Sequence, residues 1–343
     1  MQTEKQSNML KESLEAPSRV QKLLDSDKHI YKDLAKDLQK LEPVVVATIA
    51  RGSSDHCANF ASYLIPQCTG KIVASIAPSI VTKLESKLKL KNQFVLAISQ
   101  SGKSPDTVDS LKAAKRAKAL TAALVNDENS PLSAISKYVL NQYAGPELSI
   151  AATKTVICSM TAITRLTAQW SKDKKLLKAL PELPESLKKA CENSKELDVE
   201  ILKNVSHVYV LSRGMGMSAA LELALKLKEV CGIHAEAFSA AEVRHGPREI
   251  VDKNYLVIAI AFLESGGEDV LAAAQELKNQ GARVLVVGPH SKSGFNVPQL
   301  SDFRLDPILT LQLLYPWLAK SSEVLGRNPD RPTHLKCKVV ETV

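Results

Sequence analysis

Aromatic residues are scarce in this sequence: Phe, Trp and Tyr together make up 4% of 343 residues. A groove that reads single-stranded nucleic acid needs stacking aromatics beside a basic stripe. Here the lysines are spread along the chain instead. The net charge of +8 therefore reads as a solvated lysine-rich surface, and no nucleic-acid partner is expected. Its mild positive field suits a small anionic substrate. Long apolar runs are missing too. The longest, Tyr255 to Phe262, has eight residues, enough for a buried strand and far short of the roughly 20 a helix needs to cross a bilayer. The opening MQTEKQSNML has no apolar core of a secretory signal. These two absences lead to the expectation of a cytoplasmic chain with no membrane partner. The cysteines, at 57, 68, 158, 191, 231 and 337, lie far apart with no CxxC pair. Neither a zinc site nor a disulfide framework is indicated. No cluster of ligating residues calls for a metal, and no organic cofactor is expected.

What is present is an ordinary globular balance, 45% hydrophobic and 24% charged, with length for two domains. The chain also repeats itself. VVVATIARGSSDHCANFASYL begins at residue 44 and VYVLSRGMGMSAALELALKL at residue 208, each an apolar strand, then Arg-Gly, then a helical pattern. Arg51 and Arg213 are 162 residues apart, and QFVLAIS (93–99) faces YLVIAIA (255–261) at the same offset. LTAALVN (120–126) faces ARVLVVG (282–288), again at 162. Continuously apolar strands alternating with amphipathic stretches of helix length indicate parallel sheets covered on both faces. The expected fold is α/β, two tandem three-layer, flavodoxin-like units. The expected divisions are an N-terminal helical segment over 1–40, a first phosphate-binding domain over 41–170, a helical connector over 171–205, a second domain over 206–307, and a C-terminal helix and tail over 308–343. The N-terminal segment is expected to pack across the first domain.

The second of the repeated strands in copy one runs into Ser99-Gln100-Ser101-Gly102-Lys103-Ser104-Pro105. Unpaired N–H groups at a helix start, with the helix dipole behind them, attract an anion. Three serines add donors without bulk, and a glycine lets the backbone approach closely. Copy two has Ala261-Phe262-Leu263-Glu264 at the equivalent place. Ser104 alone also reads as a helix cap with the rest a turn, but one copy builds the scaffold without the serines, so the expectation is that copy one carries them as a phosphate cup, one that lacks the Walker lysine motif of nucleotide triphosphatases.

A strand ending in Ser-Gln-Ser-Gly within a duplicated α/β unit resembles the SIS (sugar isomerase) domain. Arg213-Gly214, then Ala224-Leu225-Lys226-Leu227-Lys228-Glu229, then Ile233-His234-Ala235-Glu236-Ala237, then His245-Gly246-Pro247, are similar to the isomerase half of glutamine–fructose-6-phosphate aminotransferase and to stand-alone SIS-type glucosamine-6-phosphate deaminases. The resemblance implies that Ser54, Ser99, Gln100, Ser101 and Ser104 hold a sugar phosphate. It implies that Ser53 and the backbone of Ile150 to Ala152, including Ala151, meet the sugar hydroxyls. It makes Glu229 the general base with Lys226 beside it, and His245 the ring-opening group, contributed across a homodimer interface to a shared active site. Without the resemblance, Lys226, Lys228 and Glu229 also read as a charged helix face and His245 as a turn histidine. His234 and Glu236 read as a structural pair, and Cys231 as a packed thiol.

The chemistry is consistent with those roles. Interconverting a 2-amino aldose and a ketose imine moves one proton between C1 and C2, which one carboxylate can carry both ways. Lys226, three residues before Glu229, shares its helix face and offers an ammonium to developing negative charge. The expected reaction is D-glucosamine 6-phosphate plus water to D-fructose 6-phosphate plus ammonium. The alternatives are a glutamine-independent fructose-6-phosphate aminotransferase-like isomerase, a deaminase of another 6-phosphosugar amine, and a non-enzymatic sugar-phosphate sensor. With about 40 residues ahead of the first strand, glutamine hydrolysis is not expected of this chain. Counting forward from Pro332 puts Cys337 at the place of the family's tail lysine, a Schiff-base former; counting back from Val339-Val340 puts Lys338 there, and Lys338 is expected to fill it, with Lys336 as runner-up.

Overall fold

The computed structural model describes residues 6–262, 266–289 and 295–335. In chain order the elements are α1 (Asn8–Asp25), α2 (Lys28–Leu41), β1 (Val45–Ile49), α3 (Ser53–Thr69), β2 (Ile72–Ser75), α4 (Pro78–Thr82), β3 (Phe94–Ser99), α5 (Pro105–Arg116), β4 (Leu120–Val125), α6 (Pro131–Ile135) and β5 (Tyr138–Asn141). There follow α7 (Lys154–Ser171), α8 (Lys174–Ala179), α9 (Leu183–Asn193), β6 (His207–Ser212), α10 (Met217–Lys226), β7 (His234–Ser239), β8 (Tyr255–Ile260), α11 (Gly267–Asn279), β9 (Arg283–Val287) and α12 (Asp306–Val324).

Two parallel sheets form, in the orders β2-β1-β3-β4-β5 and β7-β6-β8-β9. The repeated segments occupy the same places in both: β1 and β6, β3 and β8, β4 and β9. All pairings are parallel, for example Ile49 beside Ala97 and Leu211 beside Ala259. Parallel strands need helical crossovers, which bury both faces. Accordingly β3 is buried from Phe94 to Ile98, and β8 along its whole length. Each fully buried Val, Leu, Ile or Phe contributes about 1.5–3 kcal/mol against exposure. The expected α/β architecture of two repeated units is thus the one observed.

The chain divides into two compact units. One holds the first sheet, over Ser18–Pro146 and Thr155–Pro181. The other holds the second sheet, over residues 6–17, Glu147–Lys154 and 182–335. The N-terminal segment therefore does not belong wholly to the first sheet's unit: the first half of α1 groups with the second. In the first unit, α7 is buried nearly all round, and its hydroxyls satisfy themselves. Ser159, Thr161, Thr164 and Thr167 each donate to the carbonyl four residues back, at 2.7–2.8 Å, a bond that lets polar side chains sit inside a helix core. In the second unit α12 plays the central part. Its Gln312 donates to the Ser13 carbonyl at 2.8 Å, and its Ser322 to the Val230 carbonyl at 2.7 Å. Among the described residues, no helix is long and apolar enough to cross a membrane.

Candidate functional site

In an open parallel sheet, ligands bind beyond the carboxyl ends of the strands where the strand order reverses. In the first sheet that point lies between β1 and β3. β1 is followed by Gly52 and the start of α3 at Ser53 and Ser54, and β3 by the serine loop and the start of α5. The residues expected to bind substrate, Ser53, Ser54, Ser99, Gln100, Ser101 and Ser104, thus all flank one crevice mouth.

The loop's shape depends on Gly102. Its φ is +63°, and a β-carbon there would lie 2.1 Å from Ser130 Oγ. Ser99 Oγ accepts the Gly102 N–H at 3.1 Å, and Ser101 Oγ accepts the Lys103 N–H at 3.3 Å. Among the described residues these two hydroxyls act only as acceptors, so their protons face no internal competitor. Ser104 differs: it donates to Asp106 Oδ1 at 2.6 Å. Asp106 is buried and organises the mouth. It accepts the Thr107 N–H at 2.8 Å, and its Oδ2 accepts from Arg51 Nε and Nη2 at 3.1 and 2.9 Å. A second, more exposed pair, Lys103 to Asp127 at 3.1 Å, holds the outer side. The Lys103 ammonium, with the Asn129 N–H, holds the Asp127 carboxyl below the usual aspartate range. The loop's charges are compensated in pairs, which leaves neutral hydroxyl and amide donors for a ligand.

Copy two keeps the frame and loses the cup. Arg213 pairs with Asp269 at the start of α11, at 3.1 Å, as Arg51 does with Asp106. The turn after β6 instead buries Met215. Phe262 is also buried, and a β-carbon on Gly216 would come within 3.1 Å of its ring. Leu263 and Glu264 lie outside the described residues.

The second unit carries the titratable cluster. α10 ends at Lys226 and continues as a wider π-type turn over Leu227–Cys231, closed by Gly232 at φ +65°. π-type turns inside helices occur often at functional sites. Lys226 Nζ lies 3.2 Å from Glu222 Oε1 and 2.5 Å from Glu229 Oε2. Side-chain exposure is 1% for Lys226, 0% for Glu222 and 21% for Glu229. Tyr315 of α12 donates to Glu222 at 3.1 Å. Burial alone pulls the Lys226 ammonium pKa down, but the carboxylates of Glu222 and Glu229 outweigh it and hold it above the ordinary lysine value. Lys226 is therefore held as an ammonium between the two carboxylates, a state unsuited to Schiff-base formation. Burial pushes the neighbouring Cys231 thiol up to about 12, which keeps it a packed thiol.

His245 is exposed and ends a single turn, Glu242–His245, before Gly246 and Pro247. Arg248, a residue more polar than an interior position would carry, joins Arg244 on the Glu276 carboxylate, at 3.0 and 2.8 Å. Ala151 and Ala152 belong to the Glu147–Lys154 segment of the second unit. Lys336 and Lys338 lie outside the described residues. Reasoning from residues missed Asp106, Glu222 and the π-type turn. A signal for the first was available: both copies place an acid in the opening turn of the helix after the SQSG-position strand, Asp106 and Asp269.

The SIS domain family model matches residues 45–168 and 201–294, and the chain belongs to that family. Its relatives narrow the comparison. Curated glutamine–fructose-6-phosphate aminotransferases [isomerizing] include that of Methanothermobacter thermautotrophicus, 31% identical over 348 residues, covering 97% of this chain and 57% of the relative. That of Thermococcus kodakarensis is 30% identical over 350 residues, covering 95% and 57%. The chain spans little more than half the length of these curated relatives. A solved structure from Silicibacter pomeroyi, described as a candidate phosphosugar isomerase, superposes with a TM-score of 0.89 at 35% identity, covering 94% of this chain and all of that one. The C-terminal domain of glucosamine-fructose-6-phosphate aminotransferase from Francisella tularensis shares the fold, with a TM-score of 0.84 at 24% identity, over 97% of this chain and 100% of that one.

Proposed function

We propose that this chain is an amino-sugar phosphate deaminase/isomerase that converts D-glucosamine 6-phosphate and water to D-fructose 6-phosphate and ammonium. The observation that carries this reading is Lys226, buried between Glu222 and Glu229, with Glu229 the member of the three that reaches solvent. A carboxylate backed by a permanent ammonium is the equipment for moving a proton next to a developing oxyanion. A protein that only binds a sugar phosphate has no need of it.

In this reading the serine loop anchors the phosphate through Ser99, Gln100, Ser101, Ser104 and Ser54. Anchoring one end of the substrate restricts the motion of its reacting carbons. His245, from a second copy of the chain in a homodimer, opens the ring. Glu229 takes the proton from C2 of the open aldose, giving an enolamine whose O1 charge Lys226 stabilises. Return of the proton to C1 leaves an imine at C2, and water releases ammonium and the ketose. The likeness to glutamine–fructose-6-phosphate aminotransferases favours one second reading, the same proton shift run from fructose 6-phosphate towards the amino sugar, with free ammonia as donor.

The test is Glu229→Gln, assayed for ammonia release and, by calorimetry, for binding of glucosamine 6-phosphate. Turnover is expected to fall by about 10²–10⁴, with binding retained. A variant that keeps wild-type turnover overturns the role of Glu229. Wild-type protein that binds the substrate without converting it in either direction is a sensor. Conversion of a different 6-phosphosugar amine alone moves the substrate assignment.

A further inference from the structure

The segment Glu147–Lys154 leaves the first sheet's unit and groups with the opening half of α1. Its anchoring is unusual for a surface connection. Glu12, 5% exposed, sets both carboxylate oxygens on the segment's backbone: Oε1 accepts the Leu148 N–H, and Oε2 accepts the Ser149 N–H at 3.1 Å. Glu147 then accepts the Thr153 N–H at 3.0 Å, closing the loop on itself across residues 147–153. One turn further along α1, Glu15 meets Lys154 at 2.8 Å, with the lysine side chain only 1% exposed. Ser149, Ala151 and Thr153 are fully buried within the loop. α1 is itself held at its start, where Asp330 accepts the Asn8 and Met9 N–H groups at 2.7 and 2.8 Å.

A buried carboxylate aimed at two adjacent backbone amides is costly unless both bonds are made. Burial, aided by the Glu147 carboxylate, pushes the Glu12 carboxyl upward; the Leu148 and Ser149 amides and the Lys154 ammonium oppose it. Against that upward push, the Leu148 and Ser149 amide bonds are the contacts that favour the carboxylate form. We infer that Glu12 is the positioning residue for the sugar-contacting backbone at Ile150 to Ala152, clamping it from outside the loop, so that α1 governs affinity for the sugar portion of the substrate. This rests on the proposed function and on the role that the SIS resemblance implies for that backbone, contact with the sugar hydroxyls. Glu12 touches no reacting atom, and the effect belongs to binding rather than to proton transfer.

The experiment is Glu12→Gln in the full chain. The amide keeps the size and one acceptor oxygen, but turns an NH2 towards a backbone N–H. KM for glucosamine 6-phosphate is expected to rise about tenfold or more, with kcat changed less than about twofold. Affinity for inorganic phosphate, which engages the serine loop alone, is expected to hold, and hydrogen exchange at Leu148 and Ser149 to accelerate. Equal losses in sugar-phosphate and phosphate binding, or a fall in kcat at constant KM, overturn the inference. So does unchanged exchange at the two amides. If the wild type binds no 6-phosphosugar, the proposed function fails, while the exchange measurement still decides whether Glu12 clamps the loop. Should Glu12→Gln not fold, Glu12→Asp keeps the charge and withdraws both oxygens, and the same split is read from it.

Discussion

The two copies share strand order, an arginine after the first strand and an acid at the start of the helix it reaches, yet their crevices differ in kind. Copy one ends its strand in hydroxyls arranged around a left-handed glycine. Copy two fills the same region with Met215 and Phe262. The sheet and the arginine-to-acid tie are therefore scaffold, and the serines are an addition to it. The titratable cluster shows the opposite bias: Glu222, Lys226 and Glu229 stand on the helix after the first strand of copy two. One copy carries the hydroxyl-lined loop, the other the buried cluster of Glu222, Lys226 and Glu229.

Substituting Gly102 puts the heaviest load on this contrast. Gly102→Ala forces a positive φ on an L-residue and a β-carbon into Ser130. A loss of about 2–4 kcal/mol is expected, together with loss of phosphate binding. Gly216→Ala in copy two meets Ser212 Oγ at 2.1 Å without a left-handed backbone. It should lower the melting temperature and spare phosphate affinity. Calorimetric melting paired with phosphate titration separates the two, and loss of phosphate binding in Gly216→Ala breaks the division of labour.

A smaller effect distinguishes the shared ties. Asp106 has four bonds and a side chain 9% exposed; Asp269 is 54% exposed in its pair with Arg213. Asp106→Asn is expected to cost about 1–3 kcal/mol, and Asp269→Asn less than about 1, read as melting shifts. Equal shifts would mean that the tie is a scaffold feature only, with no added duty in copy one.

The smallest effect concerns Asp127. Its folded pKa is depressed by Lys103 and the Asn129 amide. The contribution of this pair is therefore complete above the ordinary aspartate value of 3.8 and is lost as pH falls through the lowered one. Both partners are largely exposed, so the gain is small. In Lys103→Met, the Asp127 carboxyl followed by NMR should titrate closer to 3.8. An unmoved midpoint removes Lys103 as the cause.

The strands were legible because burial on both faces demands continuous apolar runs, and QFVLAIS and YLVIAIA meet that demand at one offset. The serine loop was legible because its residue types contrast with those of its own second copy. Glu222 was not. Read along α10 it is one more charge among LELALKLKE, and its burial comes from α12, whose Tyr315 arrives from 93 residues away. Glu12 was illegible for the same reason: its partners Leu148 and Ser149 are 136 and 137 residues distant.

The sequence by itself determined the α/β class, the duplication and the place of the serine loop at a helix start, since each depends on local pattern: apolar runs, helix starts and residue type at a turn. Only the tertiary structure decided which charges are buried together, how Lys226 stays an ammonium, that Asp106 accepts the Ser104 hydroxyl's hydrogen bond, and that α1 reaches the loop of Ala151 and Ala152. Those outcomes depend on desolvation and on contacts between distant segments, which a linear pattern does not encode.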